Sequence, residues 1–123
     1  MYEVSVRDHF DAAHYLKGYQ GKCERLHGHR FEVVVSVTVE QVDDIGLAYD
    51  FVRLKQQLGE ILNRIDHTCL NDIPPFNEIN PSSENIARTI YKELQTQLQG
   101  TIASLSSVQV WESPDSCATY SPE

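Results

Sequence analysis

The segment FEVVVSVTVE at residues 31–40 is the feature that most restricts how this chain can fold. Side chains of an extended strand alternate between two faces, so every second residue of the segment lies on the same side. Those residues are all apolar: Phe31, Val33, Val35, Val37 and Val39. The segment therefore predicts a strand with one buried face, and a weaker alternation around Val4 and Val6 predicts a first strand over residues 2–9. Between the two strands lies a long segment rich in glycine and polar residues, of the kind that often carries function.

Two amphipathic helices are predicted in the centre of the chain. From Phe51 to Ile65 apolar residues recur at intervals of three and four, and Asp50 can cap the first turn. A second helix begins at NPSSEN, where Ser82 can act as the N-cap, and is closed by Gly100. The segments LSSVQVWES and CATY then predict two final strands. The predicted order is β-β-α-α-β-β, an α+β fold with antiparallel strands, in one domain over residues 1–123.

Composition narrows the partners and the location. Ten basic residues against eighteen acidic ones give a net charge of −8, which disfavours binding to nucleic acid or to an anionic membrane surface. No apolar run is long enough to span a membrane, and the N-terminal residues MYEVSVRDHF have no apolar signal core, so we expect a cytoplasmic protein. The three cysteines form no CxxC pair, which fits a reducing compartment better than a disulfide framework.

The sequence CERLHGH, residues 23–29, contains two histidines at a spacing of two, directly before the strong strand. Side chains two apart share a face of a strand, so His27 and His29 are expected to point the same way, and a hairpin would bring His14 beside them. Three imidazoles with one open position are typical of catalytic zinc. Two alternatives remain: the HxH pair is a chance feature of a polar strand start, or Cys23 is a fourth ligand that closes a structural site.

Cys23 and the pair Asp66 and His67 are candidates for proton transfer. Lys22 and Arg25 beside Cys23 favour its thiolate, although a lone loop cysteine is also compatible with an incidental thiol. Asp66 and His67 follow the first predicted helix, where a loop can fold the carboxylate back to orient the ring. The alternative is that this Asp-His pair only ends the helix.

Three further residues have weaker signals. Glu112 ends the strand that carries Trp111, and it is either a solvated strand end or a buried carboxylate that accepts paired hydrogen bonds from a ligand's amino and ring N–H groups. Cys69 and Cys117 lack the basic neighbours of Cys23 and are expected to pack as small apolar residues.

Five segments in register join these observations. FDAAHYL, CERLHGHRFEV, DHTCLN, NPSSENIA and VWES, in this order across nearly the whole chain, resemble the family of 6-pyruvoyltetrahydropterin synthases and 6-carboxytetrahydropterin synthases. The resemblance implies the tunnelling fold, in which antiparallel sheets of several subunits join into a barrel with helices outside. It also implies trimers stacked into a homohexamer, with active sites at the subunit interfaces.

The resemblance implies a role for each candidate residue. His14, His27 and His29 would bind Zn²⁺, and Cys23 would transfer protons as a thiolate. Asp66 and His67 would form a second acid/base pair, contributed by a neighbouring subunit. Glu112 would anchor the pterin ring, with Ser82 and Ser83 close to it. The implied substrate is 7,8-dihydroneopterin triphosphate, and the bound zinc would polarise its side chain.

The spacing within the motif points to one branch of the family. The chain has C-x3-H-G-H, which resembles the bacterial enzymes that form 6-carboxy-5,6,7,8-tetrahydropterin for queuosine and related deazapurines, with release of acetaldehyde and triphosphate. Glu24, however, lies where a folate-pathway branch has a glutamate, and that branch forms 6-hydroxymethyl-7,8-dihydropterin. Three hypotheses follow: a 6-carboxytetrahydropterin synthase, a dual or folate-branch enzyme that uses Glu24, and a pterin- or metal-binding module without turnover.

Overall fold

The computed structural model describes residues 1–18 and 25–122. In this part of the chain the strands are β1 (Tyr2–His14), β2 (His27–Val39), β3 (Thr68–Cys69), β4 (Ser104–Ser113) and β5 (Ser116–Tyr120). The helices are α1 (Phe51–Ile65) and α2 (Ser83–Leu98), with a single 3-10 turn at Leu70–Asp72. The α+β class and the predicted order of elements are confirmed, and the short strand β3 is an addition that the sequence did not predict.

Both long strands extend further than their apolar alternation indicates. The expected bounds were 2–9 and 31–40, whereas β1 continues to His14 and β2 already begins at His27. The two strands pair antiparallel over their whole length, from Tyr2 opposite Val39 to His14 opposite His27. The hairpin therefore brings His14 directly against the pair His27 and His29.

The strands form one sheet in the order β3-β1-β2-β4-β5. The pairings of β1 with β2, β2 with β4 and β4 with β5 are antiparallel, as predicted. Strand β3 departs from that prediction because it pairs parallel to β1, at Ala12 and Ala13. It covers only this short part of the outer edge of β1.

Both helices start at the predicted caps. The Asp50 side chain accepts a hydrogen bond from the Val52 N–H at 2.9 Å, and the Ser82 hydroxyl accepts one from the Asn85 N–H at 3.1 Å. These bonds satisfy backbone donors that have no partner within the helix. After α2, Gly100 takes a φ of +82°, the left-handed conformation that favours glycine beyond a helix end.

The sheet has an apolar face and a polar face. The apolar face packs against both helices and includes the alternate residues of β2 from Phe31 to Val39, all of them buried. On the other face, exposed ion pairs join Arg7 to Glu32 and Arg30 to Asp11. Because side chains alternate, the position of a residue in β1 or β2 sets the face on which its side chain lies. The residue types at alternate positions then make one face apolar and the other polar.

Two single features complete the comparison with the sequence. Cys117 is exposed on β5, so the expectation that it packs as a small apolar residue is wrong; it pairs across the strands with Trp111 and shares the polar face. Neither helix of the described chain combines the length and the apolar composition needed to cross a bilayer.

Candidate metal centre and acid/base pair

Three imidazoles converge at the end of the β1–β2 hairpin where the connection between the two strands begins and ends. His14 is the last residue of β1, His27 is the first residue of β2, and His29 lies opposite Ala12. The ring centroids are 4.6 Å apart for His14 and His27, 4.7 Å for His27 and His29, and 5.4 Å for His14 and His29. All three side chains continue the apolar face of the sheet, and the Phe31 ring packs edge-on against His14 and His29.

Backbone carbonyls orient two of the rings. His14 Nδ1 lies 2.7 Å from the carbonyl oxygen of Pro81, and His27 Nδ1 lies 2.6 Å from that of Arg25. A carbonyl can only accept, so in the neutral ring Nδ1 carries the proton and donates it. The Nε2 atom of each ring is then left with a free lone pair, which is the arrangement of an imidazole that binds a metal through Nε2.

Glu112 lies in the same group. Its Oε1 atom is 3.2 Å from Nε2 of His14 and 3.6 Å from Nε2 of His29. One ligand atom from each of the four residues lies within 4.8 Å of the others. The carboxylate at the end of β4 therefore borders the imidazoles and is not a solvated strand end.

The donor atoms of this group suit a cation. Nε2 of His14 is buried and has no hydrogen-bond partner among residues 1–18 and 25–122, because a deprotonated nitrogen and the nearby carboxylate oxygen both present lone pairs. Burial lowers the pKa of His14 below its ordinary value of 6.5, which favours the neutral, metal-binding form. Imidazole nitrogens with a carboxylate oxygen are a donor set that suits Zn²⁺. The four residues thus fit a metal ion, and their donor atoms are those that Zn²⁺ prefers.

A small cavity adjoins Glu112 on the side of helix α2. Its volume is about 180 Å³, and its walls are Ser83, Glu84, Glu112, Ser116, Cys117 and Ala118. Of the two predicted serines, Ser83 contributes to the wall. Ser82 is instead engaged as the helix cap, with its hydroxyl oxygen bound to the Asn85 N–H.

Asp66 and His67 form the contact that the sequence suggested. Asp66 Oδ2 lies 3.0 Å from Nδ1 of His67. The other oxygen, Oδ1, accepts a hydrogen bond from the Asp11 N–H at 2.8 Å, and His67 N–H donates to the Asp11 carbonyl at 2.6 Å. The bond from Asp11 is the main reason why the pKa of Asp66 lies below 3.8. Both residues are consequently attached to the edge of β1.

This pair and the histidine group are separate in one chain. The ligand atoms of Asp11, Asp66 and His67 form one cluster, and those of the three imidazoles and Glu112 form another. His67 borders an open groove of about 470 Å³ on the polar face of the sheet, and His29 of β2 also contributes to the lining of this groove. His14, three residues after Asp11, points to the opposite face. The side chain of His67 is 78% exposed, and its φ of 59° lies in the left-handed region.

Two candidate site residues lie outside the described chain, and several groups that contact the site residues were not predicted from the sequence. Cys23 and Glu24 lie outside the described residues, so their predicted roles rest on the sequence alone. The carbonyls of Pro81 and Arg25 were missed, because a backbone acceptor leaves no signature in residue type. Asp11 lies within FDAAHYL, and no role was predicted for it because the DAAH spacing does not show its two backbone bonds.

Comparison with known proteins places this geometry in a family. The model of the 6-pyruvoyl tetrahydropterin synthase family matches residues 3–123. The chain is 33% identical to a 6-carboxy-5,6,7,8-tetrahydropterin synthase of Bacillus subtilis, over 99% of the chain and 86% of the relative. It is 37% identical to the enzyme of the same name from Synechocystis, over 90% and 86%. A dihydroneopterin monophosphate aldolase of Pyrococcus furiosus is 36% identical, over 89% and 88%.

The fold agrees with these relatives. The structure of Caenorhabditis elegans 6-pyruvoyl tetrahydropterin synthase superimposes with a TM-score of 0.87 and 28% identity, over 99% of this chain and 96% of the other. The tunnelling fold implied by the five sequence segments is confirmed for the single subunit, and its assembly into a barrel of several subunits stays a prediction. The expectation of an enzyme, a lyase of the tetrahydropterin synthase type, is also confirmed. The match over residues 3–123, together with relatives above 30% identity, shows that the chain belongs to the 6-pyruvoyl tetrahydropterin synthase family.

Proposed function

We propose that this chain is a zinc-dependent 6-carboxy-5,6,7,8-tetrahydropterin synthase, a single domain over residues 1–123 that acts on 7,8-dihydroneopterin triphosphate in the cytoplasm. The observation that carries the proposal is the buried Nε2 of His14, which has no hydrogen-bond partner within the described chain and lies beside two further imidazoles and a carboxylate. The relatives from Bacillus subtilis and Synechocystis that bear this name support the choice of reaction. Its products would be 6-carboxytetrahydropterin, acetaldehyde and triphosphate, in the synthesis of queuosine or related deazapurines.

In this proposal the histidine group binds the metal and Glu112 binds the pterin. His14, His27 and His29 would hold Zn²⁺, which supplies a Lewis acid for the oxygens of the substrate side chain. Glu112 borders both the imidazoles and the 180 Å³ cavity, so its carboxylate can accept hydrogen bonds from a pterin ring held next to the metal. Ser83, and with less direct support Ser82, would contact the same ring.

Protons would be moved by two groups. Cys23, flanked by Lys22 and favoured as a thiolate, would take or return a proton at the side-chain carbons. His67 would do the same on the opposite side, with its ring oriented by the Asp66 carboxylate 3.0 Å away. Asp66 in turn is fixed by the Asp11 N–H, so the imidazole is supported by the backbone of β1.

The proposal also includes assembly. Because His67 clusters with Asp11 and Asp66, and His14 clusters with the other imidazoles on the apolar face, we infer that one copy does not bring both to one substrate. A neighbouring copy would supply Asp66 and His67 to the histidine group, within a homohexamer built as a dimer of trimers. The uncovered edges of β1 and β5 offer backbone groups for such pairing.

A second function has one observation in its favour. The relative from Pyrococcus furiosus, 36% identical, is named an aldolase of dihydroneopterin monophosphate. Glu24 would be the extra base that allows a dual or folate-branch enzyme to form 6-hydroxymethyl-7,8-dihydropterin. A pterin- or metal-binding module without turnover is the remaining alternative, and the presence of two proton-transfer groups argues against it.

A product assay decides between these functions. The zinc-loaded protein is incubated with 7,8-dihydroneopterin triphosphate, and the pterin and the released fragment are identified by mass spectrometry. We expect 6-carboxytetrahydropterin and acetaldehyde, and loss of both in Cys23→Ala with the zinc content unchanged. Loss of zinc from Cys23→Ala would instead make Cys23 a ligand.

Two matched variants test the role of Glu24. Glu24→Ala removes the candidate base, and Glu40→Ala removes an exposed glutamate after β2 as the control. A 6-hydroxymethyl product that disappears only in Glu24→Ala would establish the dual reaction. Bound zinc or pterin with no product from the wild-type protein would contradict both catalytic functions.

A further inference from the structure

The segment Asn80–Ser82, directly before α2, connects His14 with the chain that follows it. The Pro81 carbonyl accepts the hydrogen bond from Nδ1 of His14. Next to it, the side chain of Asn80 makes two bonds to the backbone of Lys17. The Lys17 N–H donates to Oδ1 at 2.9 Å, and Nδ2 donates to the Lys17 carbonyl at 2.9 Å. One amide side chain thus supplies the acceptor and the donor that a neighbouring strand would offer.

Asn85, in the first turn of α2, supports Asn80 from the other side. Its Nδ2 donates to the Asn80 carbonyl at 2.9 Å, and its backbone N–H donates to the Ser82 hydroxyl. Asn80 is therefore held through its side chain and through its carbonyl. Pro81 has no N–H, so the position of its carbonyl depends on the residues on either side of it.

We propose that Asn80 and Asn85 are positioning residues for His14 as a metal ligand, an inference that rests on the proposed zinc role. By fixing the Pro81 carbonyl they fix the ring of His14, because its only hydrogen bond in the described chain runs through Nδ1 to that carbonyl. The ring orientation directs Nε2 toward the other two imidazoles. Removing a group that hydrogen-bonds a ligating histidine typically lowers metal affinity by about 10- to 100-fold. The two asparagines act on His14 through the Pro81 carbonyl, so the lower end of this range is the largest effect expected of them.

The test compares three asparagine variants of the full chain. Asn80→Ala removes both bonds to Lys17, and Asn85→Ala removes the bond to the Asn80 carbonyl. Asn77→Ala changes an exposed asparagine outside this network and is the matched control. Zinc affinity is measured on metal-free protein by competition with a chromophoric chelator, and the absorption spectrum of the Co²⁺ form reports the ligand geometry. The thermal midpoint of each metal-free variant shows that it is folded.

We expect zinc binding up to about 10-fold weaker in Asn80→Ala and Asn85→Ala, with an altered cobalt spectrum, and wild-type values in Asn77→Ala. Wild-type affinity and spectrum in the two folded variants would overturn the inference. If Asn80→Ala does not fold, Asn85→Ala decides alone, because alanine is favourable within a helix. The proposed function has its own control: wild-type protein that binds no zinc, or binding that survives His27→Ala, contradicts both proposals. Binding that is lost in His27→Ala but unaffected in the asparagine variants contradicts the positioning role alone.

Discussion

The backbone conformation of His67 predicts which of two variants, His67→Gly or His67→Ala, is the more stable. At a φ of 59°, any residue with a Cβ atom pays about 1–2 kcal/mol for the left-handed conformation, and glycine does not. Glycine, however, loses about 0.5–1 kcal/mol relative to alanine through its greater freedom in the unfolded chain. The difference leaves His67→Gly more stable than His67→Ala by about 1 kcal/mol, or about 4 °C in thermal midpoint for a chain of this size.

The comparison of these two variants isolates the backbone. Both lack the imidazole and its contact with Asp66, and both keep the N–H that donates to the Asp11 carbonyl. At an ordinary φ the order would reverse, with alanine more stable. Urea unfolding at equal protein concentration, extrapolated to zero urea, measures the difference. A free energy of unfolding that is higher for His67→Ala would refute the left-handed conformation and the reasoning built on it.

Three further outcomes are expected. At a concentration of about 100 times its dissociation constant, zinc should stabilise the wild-type fold by about 2.7 kcal/mol and raise the thermal midpoint by about 10 °C. His27→Ala should lose this shift in thermal midpoint, whereas the control His9→Ala, at an exposed histidine, should keep it. The Asp11 N–H holds the pKa of Asp66 below 3.8, so this carboxylate stabilises the fold above that pH and the contribution is lost as the pH falls through the lower folded value; in Asp66→Asn the acid limb of a stability–pH curve should be shallower. Asp50→Ala should lower the free energy of unfolding by about 1 kcal/mol in urea, because it removes the cap of α1.

Periodic segments were predictable because their pattern and their burial have the same cause. Helix α1 begins at Phe51 and ends at Ile65 as its apolar spacing indicates, and both helix caps lie where Asp50 and Ser82 suggested. The predicted end of β1 came too early and the predicted start of β2 too late, since DAAH and HGHR contain polar residues that interrupt the apolar alternation. Strand β3 was not predicted, because its two residues are too few to show an alternation of apolar and polar side chains.

Residue spacing indicated which histidines could meet, and the family resemblance named the remaining site residues. Neither source showed that Glu112 lies 3.2 Å from His14, because that distance depends on how β4 pairs with β2. The bonds between Asn80 and Lys17 were equally hidden, since they join residues that are 63 positions apart. The bond from Asn85 to Asn80 spans only five positions, but its acceptor is a backbone carbonyl, which leaves no signature in residue type. Long-range register and backbone acceptors are what one sequence does not display.

The shared face of the histidines and the buried valines of β2 limits which insertions and deletions the chain can accept. Adding or removing one residue between His29 and Phe31 would turn the two imidazoles of this strand to the polar face while the core stayed in place. A change of two residues would restore the face but move the ligands about 7 Å along the strand, away from His14. The distance in sequence from His27 to the buried residues of β2 is therefore fixed at the single-residue level.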